Sequence, residues 1–261
     1  MTGRRRDSPA SNPAQEQFTP ITGVRTRPGW RRAETALARV GDMVALERTL
    51  RGAPSQSVAG SLFFLEYARR VSWPVLAVHL RENHWLDPDI NDVYVRPDPA
   101  GRLLIGFGTD PVHEARSTQD VVDAIVEDHL RLMVDAVNVT THTDRSVLWA
   151  NAAAAMAGAF LALSWGSSDH SRYLDEATEA FAANAQLDGL VALTSFRLGG
   201  EDWFMSRRRR CCLAIRARAS NRGEVYCASC PILSEDEQGR RYLDAAIRFQ
   251  AVERVVSADG L

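Results

Sequence analysis

The sequence predicts an α+β fold that is predominantly helical and contains a small antiparallel sheet. Several stretches place apolar residues at helical spacing, which is typical of amphipathic helices. Short β-branched or apolar runs separated by proline and glycine are typical of strands joined in a hairpin. The composition is that of a globular protein with one large or two modest cores, since 45% of the 261 residues are hydrophobic and 25% are charged.

The region after the N-terminal arm is predicted to be helical. Apolar residues recur at helical spacing over residues 31–51, and a second amphipathic helix is predicted over residues 57–70. Trp73 and Pro74 predict a kink or a break before residues 75–80, because proline cannot donate the backbone hydrogen bond that a helix interior needs.

The rest of the chain is predicted to mix helices with short strands. Ser117 is a plausible N-cap, because its hydroxyl can accept a hydrogen bond from the first turn of the helix that follows. The predicted elements are a hairpin within residues 91–110, helices over residues 117–137, 146–163 and 168–183, strands at residues 190–196 and around 203–205, and a last amphipathic helix after Glu235.

Charge and hydropathy exclude several classes of protein. A formal net charge of −2 gives no overall electrostatic reason to bind nucleic acid or an anionic membrane, so no nucleic-acid partner is expected. The sequence contains no uninterrupted run of roughly 18 apolar residues, so no transmembrane segment is expected either. The polar, arginine-rich start lacks the apolar stretch of a signal peptide, and we therefore expect a cytoplasmic protein.

The four cysteines lie close together near the carboxyl end. Cys211 and Cys212 are adjacent, fourteen residues follow, and Cys227 and Cys230 form a second pair, which gives the pattern C-C-x14-C-x2-C. In a reducing compartment such a group indicates metal or redox chemistry rather than structural disulfides. Four thiolates can hold either Zn²⁺ or a [2Fe-2S] cluster, and four buried cysteines without any metal are a third possibility.

The spacing favours the cluster over zinc. Structural zinc sites usually take two ligands from a C-x₂₋₄-C turn, whereas the side chains of adjacent cysteines such as Cys211 and Cys212 point apart in most backbone conformations. A two-iron cluster binds its four ligands over a larger volume than a single ion, so it accommodates adjacent cysteines whose side chains point apart more readily.

The cysteine run also resembles a known family. Arg208-Arg209-Arg210-Cys211-Cys212-Leu213, followed by Cys227-x-x-Cys230-Pro231, is similar to the C-terminal [2Fe-2S] signature of ferric-siderophore reductases of the FhuF type. The loop between the two pairs is longer than the common family form. Upstream, the segments Ser61-Leu62-Phe63 to Val75-Leu76-Ala77 and Val147 to Ala153 resemble helical segments of the same family.

The resemblance implies a function and an organisation. Cys211, Cys212, Cys227 and Cys230 would be the ligands of a [2Fe-2S] cluster, with no catalytic residue beyond them. The enzyme would reduce a ferric siderophore by one electron and release Fe²⁺ in the cytoplasm, with a ferredoxin or a flavoprotein as a plausible electron donor. Residues 1–29 would be a disordered arm, residues 30–200 a helical or mixed substrate-binding domain, and residues 201–261 an iron-sulfur module with a terminal helix.

A different class of function fits the same cysteines. A non-enzymatic metal-binding module with four cysteine ligands could be a zinc-stabilised interaction domain or an iron-sulfur redox sensor. The surrounding charge does not separate the two classes. Seven arginines and no acidic residue lie between Arg207 and Arg222; they could raise the potential of a cluster or attract an anionic partner, or form a solvated basic segment.

Overall fold

The computed structural model describes residues 17–98, 101–217 and 226–258, and these form an α+β fold. The helices are α1 (Ala33–Leu37), α2 (Val40–Arg51), α3 (Gln56–Glu82), α4 (Thr118–Ala124), α5 (Arg131–Thr141), α6 (Arg145–Trp165), α7 (His170–Ala183) and α8 (Glu235–Ala258), with a π-helical segment at Ile125–Leu130 and a 3₁₀ turn at Ala214–Arg216. The strands are β1 (Arg31–Arg32), β2 (Val93–Pro97), β3 (Leu103–Phe107), β4 (Val191–Leu198) and β5 (Glu201–Arg208).

The centre of the fold is the packing of α3 against α6. Small buried residues of α6, including Ala152, Ala155 and Ala159, allow α3 to approach closely, and the indole of Trp73 donates a hydrogen bond of 2.8 Å to the carbonyl oxygen of Ala155. By length and composition α6 could also cross a membrane. Of its most apolar window, 67% is buried inside the fold, as is usual for a core helix.

The helix α3 is continuous, so the chain does not break at Trp73 and Pro74 as the prediction of a kink or break allowed. Its residues remain helical from Gln56 to Glu82 with Pro74 inside. Proline removes one backbone hydrogen bond and usually costs about 3 kcal/mol in a helix interior. Here Val71 and Val75 are fully buried on either side of it, so their packing against the rest of the core holds the helix together across the proline.

The helix predicted over residues 31–51 is interrupted in the structure. Arg31 and Arg32 pair with Val95 and Tyr94 as an edge strand, and α1 is separated from α2 at Arg39, which has φ −116° and ψ 17°. The start of this segment joins the sheet because β2 offers it backbone hydrogen-bonding partners, which the hydrophobic pattern of the sequence does not reveal. The resulting three-stranded antiparallel sheet has the order β1-β2-β3 and includes the hairpin predicted within residues 91–110.

The long helical stretch after residue 117 changes its winding in the middle. Ser117 is the N-cap, as predicted, and forms a capping box with Asp120. The π-helical segment Ile125–Leu130 carries the fully buried His129, whose Nε2 lies 2.6 Å from the hydroxyl of Tyr67 and whose Nδ1 donates to the carbonyl oxygen of Pro88 at 2.7 Å. In a π-helical turn the backbone hydrogen bonds span one residue more than in an α-helix, and the wider turn places His129 in the core, where both ring nitrogens have partners.

The second sheet is the β4-β5 hairpin, which confirms the two strands predicted near the cysteines. Val191 pairs with Arg208 and Phe196 pairs with Trp203, and Gly199 and Gly200 form the tip. Both glycines have positive φ values, of 66° and 92°, which side-chain-bearing residues rarely adopt. The boundary predicted between residues 200 and 201 falls at this tip, so the two strands on either side of it are hydrogen-bonded to each other.

The predicted N-terminal arm lies partly outside the described residues, which begin at Gln17. From there the arm is packed against the fold, because it supplies apolar anchors. Phe18 stacks on Trp73 with ring centroids 4.7 Å apart, and the fully buried Val24 donates a backbone hydrogen bond to Phe107. Phe18 and Val24 therefore attach the described part of the arm to the rest of the fold, while most of its other residues are exposed.

We expect Gly60→Ala to destabilise the protein by about 1–3 kcal/mol, because a Cβ there would lie 2.5 Å from Oγ1 of Thr141 and 2.6 Å from Oγ1 of Thr143. Gly239→Ala is the matched control: it adds the same methyl group to α8 with no atom within 4 Å and should stabilise by about 0.5–1 kcal/mol. Urea unfolding of the two variants measures both effects, and equal stability of Gly60→Ala and the parent would contradict the close packing.

Burial lowers the pKa of His129 to about 4, so the unfolded chain binds a proton more readily than the folded one. Stability from this group is complete above the unfolded pKa of about 6.5 and is lost as pH falls toward 4. We expect a loss of about 2 kcal/mol between pH 7 and pH 5 that His129→Gln abolishes and that substitution of the exposed His113 leaves intact. Denaturant unfolding at the two pH values measures this loss. If His129→Gln keeps the pH dependence of the parent, the loss does not come from His129.

Candidate metal centre

The four cysteines lie on two short segments beside the β4-β5 hairpin. Cys211 and Cys212 follow the end of β5, and Cys227 and Cys230 precede α8. All four are free thiols. Cys212 and Cys230 are buried, with 3% of each exposed, whereas Cys211 and Cys227 are half-buried. The group therefore has a closed inner side and a side that is open to solvent.

Local backbone geometry directs the cysteine side chains. Leu213 adopts a left-handed conformation with φ 64°, which turns the chain immediately after the adjacent pair and lets its amide approach Sγ of Cys211 at 3.4 Å. Such a conformation is unusual for leucine and is typical of places where the surrounding structure imposes a special turn. In the second pair, the amide of Cys230 donates to the carbonyl oxygen of Cys227 at 3.0 Å and closes the C-x2-C turn.

The two segments meet through Cys212 and Cys227. The thiol of Cys227 donates a hydrogen bond to the sulfur of Cys212, which lowers the pKa of Cys212 and raises that of Cys227. Burial raises the pKa of Cys211, and negative charge on Cys212 and Cys230 adds to that increase. The four sulfurs are thus close enough for their charges to influence one another.

The geometry is not that of a finished metal site. Within the part of the chain that the structure describes, no group of three or more His, Cys, Asp or Glu side chains is arranged to hold a metal ion. Part of the loop between the cysteine pairs, residues 218–225, lies outside that part. The donor set nevertheless suits a [2Fe-2S] cluster chemically, because four thiols from two segments provide two ligands for each iron.

A chain of buried polar groups connects the cysteines to the central helices. Ser61 on α3 donates from its hydroxyl to the carbonyl oxygen of Cys212 at 2.8 Å. Asn151 on α6 donates from its amide to the carbonyl oxygen and the hydroxyl of Ser61, both at 2.9 Å, and accepts from the guanidinium of Arg208 at 2.7 Å. Arg208 in turn bonds Ser229, which lies between Cys227 and Cys230. We call the side chains of Ser61, Asn151, Arg208 and Ser229 the polar chain.

The contact between Arg208 and Ser229 is double. The backbone amide of Arg208 donates to the carbonyl oxygen of Ser229 at 3.0 Å, and its Nε donates to the Ser229 hydroxyl at 3.1 Å. The C-x2-C turn is therefore held on the end of β5 by main chain and side chain together. Because Ser61 and Asn151 are fully buried and Arg208 is 5% exposed, the bonds that Asn151 makes to the other two are shielded from water, whereas the bond to Ser229 is partly buried.

The helix α8 holds the C-x2-C turn from the other side. The amide of Gln238 donates to the carbonyl oxygens of Ala228 at 2.8 Å and of Ser206 at 3.3 Å. The hydroxyl of Tyr242 also donates to the Ser206 carbonyl oxygen, at 3.0 Å. The last helix is thus attached both to β5 and to the turn that carries Cys227 and Cys230.

The arginines between Arg207 and Arg222, here called the arginine field, differ in burial. Arg208 points inward, Arg207 is half-buried and donates to the carbonyl oxygens of Pro231 and Leu233, and Arg209 and Arg210 are exposed. Arg216 is also exposed, while the last two arginines of the field lie outside the described residues. The interpretation as a solvated basic segment therefore fits Arg209 and Arg210 but not Arg208.

No protein-family model, curated protein or solved structure matches the chain. Its function is inferred from the four thiols and the polar chain around them. The sequence pattern identifies the thiols and includes Arg208 among seven arginines, but it assigns no role to Ser61 or Asn151. A usable signal was present, since Asn151 is a lone amide in an otherwise alanine-rich buried helix, and a buried amide needs partners.

The structure also contains two cavities away from the cysteines. One of about 350 Å³ is lined by Arg69, Arg70, Arg102 and residues of the N-terminal segment. The other, of about 440 Å³, lies between α2 and the three-stranded sheet. Neither cavity has a cysteine in its wall, so neither lies at the candidate metal centre.

Proposed function

We propose that the chain is a one-electron reductase of ferric siderophore complexes and that Cys211, Cys212, Cys227 and Cys230 hold its [2Fe-2S] cluster. The observation that carries this proposal is that buried polar groups hold both cysteine segments: Ser61 bonds the carbonyl oxygen of Cys212, and Arg208 bonds Ser229 between Cys227 and Cys230. Bound there, such a cluster supplies electrons one at a time.

The divergence of the adjacent cysteines supports a cluster over a single zinc ion. Cys212 is buried and bonded to Cys227, whereas Cys211 is half-buried and receives the Leu213 amide. Two neighbours with such different surroundings are awkward ligands for one tetrahedral ion, while a two-iron cluster takes ligands over a wider volume.

The proposed substrate follows from the chemistry of iron. Siderophores hold Fe³⁺ through charged oxygen atoms, and Fe²⁺ binds the same oxygens far less strongly. Transfer of one electron to the ferric ion gives Fe²⁺ and leaves the ligand intact, so no hydrolysis and no acid-base residue are needed. A one-electron donor, such as a ferredoxin or a flavoprotein, restores the reduced protein. The exposed Arg209 and Arg210 beside the cysteines offer positive charge to an anionic substrate or donor.

We expect the purified protein to be red-brown, with two iron and two acid-labile sulfide ions per chain by the definition of the cluster. Substitution of any of the four cysteines by serine should lower the iron content and remove the paramagnetic signal of the dithionite-treated sample. Ala228→Ser is the matched control, because it adds a hydroxyl to the exposed position between Cys227 and Ser229 without removing a sulfur. A colourless protein with stoichiometric zinc would refute the cluster.

We also expect the reduced protein, mixed anaerobically with a ferric hydroxamate or catecholate complex, to form Fe²⁺ that a ferrous chelator captures. The rate of Fe²⁺ formation should depend on all four cysteines, because electrons leave through the cluster that they hold. Ala228→Ser should keep the rate of the parent. Absorbance of the ferrous chelate measures the reaction. A cluster-loaded protein that reduces no siderophore class would favour a redox sensor instead.

A further inference from the structure

We propose that Arg208 is the buried counter-cation of the four thiolates and that it raises the reduction potential of the cluster. This inference rests on the proposed function and adds a positioning residue that touches neither substrate nor donor. It differs from a general effect of the arginine field, because it assigns the tuning to one side chain.

The first observation is the burial of Arg208 without an acidic partner. The side chain is 5% exposed, and the ion pairs formed by the described residues do not include it. Its neighbour Arg207, by contrast, lies 3.6 Å from a carboxylate oxygen of Glu235. A buried cation is costly unless an anion compensates it, so the fold needs negative charge close to Arg208.

The second observation is the position of the guanidinium. Its Nε bonds the hydroxyl of Ser229, which lies between Cys227 and Cys230, and the backbone amide of Arg208 bonds the carbonyl oxygen of the same serine. The groups available to compensate Arg208 are therefore the sulfurs themselves. The side-chain hydrogen bonds of Arg208 go to Asn151 and Ser229, and both of these partners are uncharged.

The third observation is that Arg208 is fixed in place. Oδ1 of Asn151 accepts from Nη1 at 2.7 Å, and the amide of Asn151 is itself oriented by the two bonds that it donates to Ser61. The guanidinium cannot turn away without leaving buried groups unpaired. A charge held in this way acts on the cysteine site at constant distance.

The electrostatic consequence has a definite sign. A four-thiolate [2Fe-2S] group carries a charge of about −2 when oxidised and about −3 when reduced, by counting two ferric ions, two sulfides and four thiolates. A nearby positive charge stabilises the more negative state more strongly. At a buried site, where the effective dielectric constant is far below that of water, loss of this charge should lower the equilibrium constant for reduction by about tenfold or more.

The test is a redox titration of the cluster-loaded protein, followed by paramagnetic resonance at low and high salt. For Arg208→Gln we expect the equilibrium constant for reduction to fall at least tenfold, which is about 59 mV for one electron. Arg208→Lys keeps the charge and should stay within about threefold of the parent. Arg209→Gln, the matched control on the exposed side, should change the constant less than about threefold, and salt should screen that change.

Each outcome separates the two proposals. A parent protein without a cluster refutes the proposed function, whereas a loaded Arg208→Gln with the potential of the parent overturns the role of Arg208 alone. An equal effect of Arg209→Gln at high salt overturns it as well. If Arg208→Gln does not retain the cluster, Arg208→His is titrated instead, at about pH 9, where the imidazole is neutral. An equilibrium constant for reduction about tenfold below that of the parent supports the role of Arg208, and an equal constant refutes it.

Discussion

The buried hydrogen bonds of Asn151 are the interaction on which the rest of the site depends. One side chain joins α3, through Ser61, to β5, through Arg208, and these two partners contact the two cysteine segments. Buried amides and guanidinium groups are stable only when they are paired, so few arrangements of helices and strands satisfy all members at once. The requirement to pair these groups fixes the cysteines relative to the core.

This arrangement makes the helical region and the cysteine module one physical unit around the site. The hairpin β4-β5 crosses the boundary that the sequence suggests, and the residues that bond Cys212 and Arg208 come from helices far away in the chain. Chemistry at the sulfurs is therefore influenced by α3 and α6 as well as by the motif itself. For the proposed electron-transfer site, such outer contacts matter as well as the ligands, because they set charge and exposure.

The sequence predicts those features that depend on local signals. The hairpin, the strands near the cysteines, α6, α8 and the cap at Ser117 follow from periodicity, turn residues and capping, and the structure confirms them. The chain does not break at Pro74, and the segment before Arg39 was predicted wrongly, because burial in the first case and strand pairing in the second overrule local preference. The cysteines were found by spacing, whereas the role of Asn151 and the burial of Arg208 against it were not predicted, since both depend on which helix and strand faces meet.

The attachment of the two cysteine pairs to different elements has a mechanical consequence. Cys212 is bonded to α3, which is the middle of the core, while the turn with Cys227 and Cys230 is bonded to α8 through Gln238. The same turn is also bonded twice to Arg208 at the end of β5. A displacement of the terminal helix alone would therefore leave the spacing between the two cysteine pairs in place, because β5 still holds the second pair beside the first.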